Sequence, residues 1–352
     1  MRRILITALL SLTLPAAHAA SFDCKEARTP REHAVCSDPK LSALDDQLAA
    51  AYKAASSKLS PAAFALVQSD QREWLSWLDE TCKPNSSEVV FLPRCLTNAY
   101  QERLQQLTTG LQKINGITFY PRARFLYVVT GTPSNENPYY DPNVGRGSFN
   151  WPQIDQPTPQ QQLWSKQLEA AIVALLLGKE AGARTLTEAF RTAAEPGTEV
   201  DLSYRIHAAN QRFIATGLSN YTFTGGAHGG TSEINVLWWL DKGRPLLASD
   251  VLLPGSNWQQ KLIDPAISKL QTDSGPDAIW KGDELRQGVT QGIADIRSWT
   301  LDSTGLTITF GQYQVGPYSS GMPQITFTWD ELRPYLNPAL HPETLPPPVP
   351  KP

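Results

Sequence analysis

The chain carries four cysteines, Cys24, Cys36, Cys82 and Cys95, all within the first 95 of its 352 residues. No other feature constrains the fold as much: covalent cross-links are confined to one end, and the rest must be held by its core. The cysteines are spaced by 12 and 13 residues within the two local pairs. Local pairing would close two short loops, each contributing about 3 kcal/mol on the chain-entropy view. Four cysteines permit three connectivities, and the sequence does not choose among them, although the pairs 24–36 and 82–95 are preferred. A zinc site is the rival reading, but the spacing offers no C-x-x-C or C-x-x-x-C pair. No metal and no cofactor is expected.

Oxidation of these thiols depends on the compartment. Met1-Arg2-Arg3 supplies a positive start, Ile4 to Leu14 an apolar run and Ala17-His18-Ala19 a small-x-small cleavage site, which together predict a signal peptide over residues 1–20. The run is too short for the roughly 20 apolar residues of a spanning helix, and the stretch from Ala170 to Leu177 has only the length of a core helix. Cys24 follows Ser21-Phe22-Asp23 rather than a lipoprotein box. A soluble, periplasmic or secreted protein with two disulfides is expected. Its formal charge of −3 lacks the basic excess of a nucleic-acid binder and tolerates a cationic partner.

From residue 21 to 112 the chain reads as helical. Thr29-Pro30-Arg31-Glu32 has the form of a capping box with proline at the first helical position. Leu41, Leu44, Leu48 and Tyr52 recur at helical spacing, Ser60-Pro61 opens a second long helix through Trp74 and Leu78, and a third runs from about Cys95 to Leu107. A bundle this small needs reinforcement, and the cysteines lie in it.

Beyond Asn115-Gly116 the pattern changes. Phe119 to Val129 predicts a strand, Gly131 to Pro159 a long surface loop, and Thr158-Pro159 a helix through Leu168 and Ile172 to Gly178. Strand patterns follow at Val200 to Ile206, Phe213 to Ala215, Ile234 to Leu240, Leu306 to Phe310 and Ile325 to Trp329, with helices near Trp258 to Leu270 and Asp283 to Ile293. The expected class is α+β: a disulfide-tied helical bundle (21–112), then a larger domain (113–336) with a mainly antiparallel sheet. Residues 337–352 read as a proline-rich tail that forms no core.

Enzyme motifs are absent: no G-x-S-x-G, H-E-x-x-H, P-loop or strand-following G-x-G-x-x-G occurs. Two segments invite a binding role. In the first, Tyr221 to Gly230, His228 lies among Gly225, Gly226, Gly229 and Gly230, so backbone N–H groups and an imidazole can be presented to a ligand. The bland alternative is a tight loop whose histidine bonds the backbone. Catalysis would need a nucleophile, metal or second acid beside His228, and none is marked. In the second segment, Gly311 to Gly321, the tyrosines Tyr313 and Tyr318 with Pro317 and Ser319 have the composition of interface surfaces, against a turn that caps the core. Of Trp238 and Trp239 an alternating strand points only one inward, and Asp45-Asp46 reads as solvated.

Phe22-Asp23-Cys24, Thr29, Glu32, Val35-Cys36, Leu44-Asp45 and Tyr52, then Gln71, Trp74-Leu75, Cys82, Cys95-Leu96, Tyr100 and Arg103-Leu104 follow in an order that resembles the N-terminal family of LprI-type lysozyme inhibitors. This likeness implies an exported, disulfide-tied helical module with members able to inhibit lysozyme. Tyr221 to Gly229, Gly243 to Asp250, Gly305 to Phe310, Tyr313, Gly316-Pro317-Tyr318, Gly321 and Trp329 to Leu332 give residues of about 116–336 a pattern that resembles the extracytoplasmic domains of the lysozyme-sensing anti-sigma factor RsiV and of PdaC-type peptidoglycan deacetylases. The chain lacks the sigma-binding and deacetylase parts, so neither activity is implied. The two likenesses imply a non-catalytic partner of lysozyme or another muramidase, with peptidoglycan itself as the alternative ligand.

Overall fold

The computed structural model describes residues 20–83, 91–133, 140–178, 184–275 and 278–350. Of the expected leader, only Ala20 is among them. The helical segment comprises α1 (Pro30–Ser37), α2 (Pro39–Lys58), α3 (Pro61–Thr81) and α4 (Phe91–Gly110). Thr29, Asp38 and Ser60 cap the first three, each followed by proline in the first turn, so orphan N–H groups are satisfied and φ is preset where each helix starts. Thr29 and Glu32 form the expected capping box. Leu41, Leu44 and Leu48 pack with Val67, Trp74, Leu78, Leu96 and Tyr100 in one core. Cys24 pairs with Cys36 and Cys82 with Cys95, so the first bridge pins the entry to α1 and the second joins the end of α3 to α4. Asp45, expected to be solvated, is instead 8% exposed and accepts the Ser21 N–H at 2.8 Å, because the incoming chain brings an otherwise unpaired backbone donor over α2.

A seven-stranded sheet follows in unbroken chain order: β1 (Gln112–Ile114), β2 (Ile117–Val129), β3 (Val144–Ile154), β4 (Glu199–Ala209), β5 (Phe213–Phe223), β6 (Gly230–Trp239) and β7 (Arg244–Pro245). Every neighbouring pair is antiparallel except β3 and β4. That parallel step is made through α5 (Pro159–Leu177) and α6 (Leu186–Ala193), which cover one face of the sheet. The remaining chain forms α7 (Ala248–Val251), α8 (Trp258–Ser274) and α9 (Gly282–Ala294). It ends in a three-stranded antiparallel sheet of β8 (Trp299–Asp302), β9 (Gly305–Thr309) and β10 (Gln324–Thr328), followed by α10 (Trp329–Leu332). Their apolar side chains share a core with Phe213, Ala215, Leu237 and Trp239.

The helical segment is not packed apart from the sheet. Tyr120, Ala123 and Phe125 of β2 complete its core. On α3, Asp70 takes the Ala123 N–H at 2.9 Å and Glu73 the Phe125 N–H at 2.6 Å, while Arg122 and Arg124 pair with the same carboxylates. An edge strand that would otherwise offer free donors is thereby sealed by one helix face.

Three further expectations change. The loop expected over residues 131–159 contains β3, whose one proline and two glycines disguise it. Pro152 lies opposite Pro121, beyond the pairing of β3 with β4 (146–149) and of β1 with β2 (117–119). Ala123 and Phe125 direct their N–H groups to α3, so the donor lost at Pro121 also faces away from β3. Trp238 and Trp239 are both 5% exposed, because the sheet is covered on both faces and each enters a different core. The C-terminal segment, read as a tail outside any core, buries Leu340 and Leu345.

Candidate functional site

The hairpin between β5 and β6 carries the first of the two binding segments. Gly225 and Gly226 hold φ of 88° and 95°, a region costly for other residues, and this turns the loop so that His228 is exposed. Tyr140 supports it from below, edge-on to Phe223 with centroids 5.7 Å apart and against Gly225. The His228 Nδ1 lies 2.9 Å from the Gly229 carbonyl, so Nδ1–H donates there. This is the backbone bond of the bland alternative, and it orients the ring. Nε2 has no hydrogen-bond partner among the described residues.

The second segment is held by different means. Gln314 accepts the Gly311 N–H at 2.8 Å and donates to the Gly288 carbonyl of α9 at 3.0 Å. A Cβ on Gly288 would lie 1.9 Å from the Gln314 carbonyl oxygen, so this glycine lets α9 press directly on the loop. Val315 is fully buried, its carbonyl receives the Trp280 N–H at 2.9 Å, and the Ser320 hydroxyl bonds the Ala278 carbonyl. On this base Tyr313 is 51% exposed and holds φ of 62°. A bulky residue in that region carries strain of about 1 kcal/mol or more, sustained by its surroundings. Pro317 and Ser319 are exposed and Tyr318 half-buried.

The fold brings these two segments together. The His228 ring stacks on Tyr318 at 3.9 Å and 25°, and Tyr313 lies 6.0 Å from Tyr318. Gln312 fastens them by accepting the Thr231 N–H at 2.8 Å. Tyr221, 37% exposed, stands against Gly229 at the same end of the hairpin. The result is an aromatic patch with one imidazole, built on anchored loops. Among the described residues no hydroxyl, thiol or carboxylate hydrogen-bonds the His228 ring, and no group of three or more His, Cys, Asp or Glu side chains is arranged to hold a metal. All ten tryptophans are buried or half-buried.

Sequence reasoning missed Gln312, whose role depends on a partner 81 residues away. It also missed a polar valley over β4. Glu102, Gln105 and Thr109 of α4 face Asp201, Ser203 and Arg205 across a cavity of about 370 Å³. On the far side of Arg205 a second cavity of about 330 Å³ reaches Glu233, Thr300 and Asp302. The available signal was Asp201, Ser203, Arg205 and His207, polar residues at every second place of a strand whose other side supplies Val200, Leu202 and Ile206 to a core.

Residues 24–107 match the family model described as lysozyme inhibitor LprI. The LprI match is confined to the helical segment and its two disulfides. Residues 249–330 match a second family, DUF3298, described as proteins of unknown function; they run from α7 to α10 and include Tyr313, Pro317 and Tyr318. Among solved structures, a DUF3298-family protein of Bacteroides fragilis is similar at 16% identity, over 64% of this chain and 96% of its own, with a TM-score of 0.48. Another, from Pseudomonas aeruginosa, is 18% identical over 65% of this chain and 98% of its own, with a TM-score of 0.47. No curated protein matches the chain. No helix among the described residues is long and apolar enough to cross a membrane.

Proposed function

We propose that this is an exported, non-catalytic protein that binds lysozyme or a related muramidase and inhibits it by seating the His228 and Tyr318 loops in the enzyme's cleft. The observation that supports the site is the meeting of two distant loops in one exposed aromatic patch, with His228 stacked on Tyr318. The LprI match over residues 24–107 supports the choice of partner. Retaining glycosidases of the lysozyme type hold two carboxylates about 5 Å apart across the scissile bond. With Nδ1–H given to the Gly229 carbonyl, Nε2 of the neutral ring, flanked by rigid tyrosines, suits a hydrogen bond from the protonated carboxyl of that pair. Rigid aromatic side chains lose little entropy on docking, so such a patch suits tight association.

Titration of the processed chain with lysozyme, read as heat and as residual lysis of cell walls, tests the proposal. Micromolar or tighter binding with loss of lysis is expected. Pro317→Ala with Tyr318→Ala should weaken binding by about 2–4 kcal/mol while leaving thermal unfolding unchanged. Undiminished lysis at micromolar excess would overturn the reading.

A further inference from the structure

The C-terminal residues do something that a loose tail would not: they cross the polar valley over β4. After Leu345, which is buried, the chain reads Pro346-Pro347-Pro348-Val349-Pro350. Proline has no N–H, so Val349 carries the only backbone donor in this stretch. That one donor reaches the His207 carbonyl at 2.6 Å. The pairing of β4 with β5 shifts register between Ile206 and Ala208, so the acceptor lies at a bulge in the ladder. Arg205 donates to the Val349 carbonyl at 3.0 Å, and the Pro346 carbonyl accepts the Ser303 N–H at 2.9 Å. The segment is thus read by its backbone and fixed in register.

The valley is larger than the segment that crosses it. Val349 lines both cavities, about 370 Å³ on the α4 side and about 330 Å³ on the β8–β10 side, and divides one valley in two. Buried polar atoms of residues in its wall have no hydrogen-bond partner among the described residues: Asn150 Oδ1, on a residue only 7% exposed, Tyr204 Oη and Arg205 Nε. A strap selected for packing alone would fill its groove and satisfy those atoms. Pro347, Pro348 and Pro350 remain exposed instead.

We propose that the valley over β4 is a docking groove for an extended, proline-rich peptide, and that residues 346–350 occupy it as a displaceable strap. The Arg205 guanidinium and the His207 carbonyl read one residue's carbonyl and N–H, prolines hold the extended form at small entropy cost, and flanking polar side chains of an incoming peptide would fill the two cavities. The chain's own tail, tethered and therefore at high effective concentration, keeps the groove closed.

The test uses a labelled peptide spanning residues 342–352, followed by fluorescence anisotropy, with the full chain and with a chain ending at Pro346, which keeps the buried Leu345. The shortened chain is expected to bind the peptide at least tenfold more tightly than the full chain, and Arg205→Ala within it to remove that gain. A shortened chain that retains its circular dichroism and thermal midpoint but binds no better than the full chain would overturn the proposal. Amide hydrogen exchange on the intact protein gives an independent reading that needs no truncation. Val349 should exchange at least a hundredfold faster than the amides pairing β5 with β6; exchange as slow as that core would show a fixed structural strap and overturn the proposal.

Discussion

Asp250 illustrates how a single side chain ties local structure to solution conditions. Arg244 grips both of its oxygens at 2.7 Å, the Leu247 N–H donates at 2.8 Å and Lys242 stands 3.5 Å away. The bidentate Arg244 contact, reinforced by that N–H and by Lys242, holds the carboxyl down to about 2. Because the folded value is lower than that of the unfolded chain, Asp250 stabilises the fold above about pH 4, and the contribution fades as the pH falls toward 2. Asp250→Asn should cost about 1 kcal/mol at pH 7 and flatten the loss of stability between pH 4 and 2, as measured by urea unfolding at each pH. Asp250 stands at the third position of the short helix α7 and takes the N–H of its cap residue Leu247, but Arg244 and Lys242 precede that helix, where no local rule pairs them with it. Asp45 was misread for a related reason: its adjacency to Asp46 suggests solvent, whereas its partner is a backbone amide 24 residues away. Thr29 and Glu32 were legible because both halves of their interaction are local.

At the scale of elements, α3 does two jobs with one helix. Val67, Trp74 and Leu78 face the bundle core, while Asp70, Glu73 and Trp77 seal the edge of β2, Trp77 by donating from Nε1 to the Leu126 carbonyl at 3.1 Å. Asp70 is 3% exposed and accepts from Arg122 as well as from Ala123. Asp70→Ala would strand a cation and a backbone donor, and a loss of about 3–5 kcal/mol is expected by chemical denaturation. Helices with capped, proline-marked starts were readable from sequence. The edge-sealing face was not, since the same acidic residues read equally well as a solvated surface. β3 escaped because Gly145, Gly147 and Pro152 are turn residues by local rule. Here a Cβ on Gly145 would lie 2.1 Å from the Ala194 carbonyl oxygen, so the glycine serves packing. The two loops of the candidate site were each visible in the sequence, but their union through Gln312 depends on how β6 lies against the C-terminal sheet.

On the scale of the whole molecule, the change in sequence character near residue 112 separates helix from sheet without separating their cores. Tyr120, Ala123 and Phe125 belong to the helical core although they follow that point. A fragment of residues 20–112 would expose the surface these three side chains cover. With about 1.5–3 kcal/mol for each of the two large buried side chains, Tyr120 and Phe125, it should be about 3–6 kcal/mol less stable than the same helices in the full chain. Urea unfolding followed at Trp74 and Trp77 in the fragment, against the intact protein with both disulfides formed, checks this; equal midpoints would show that the helical segment stands alone. The likeness to LprI stops at residue 107, short of the strand that completes its packing here.

The unbroken strand order has a consequence for how the molecule is assembled. A chain delivered N-terminus first can close each disulfide within 13 residues of travel and then extend the large sheet one strand at a time, each new strand docking on the last one made. Contacts of that kind are short in sequence and favour rapid folding. Among the longest returns in sequence is that of Val349 to β4, 142 residues back at His207. Until that moment the valley stands open, so a nascent or newly released chain passes through an interval in which its groove faces a partner before its own tail arrives.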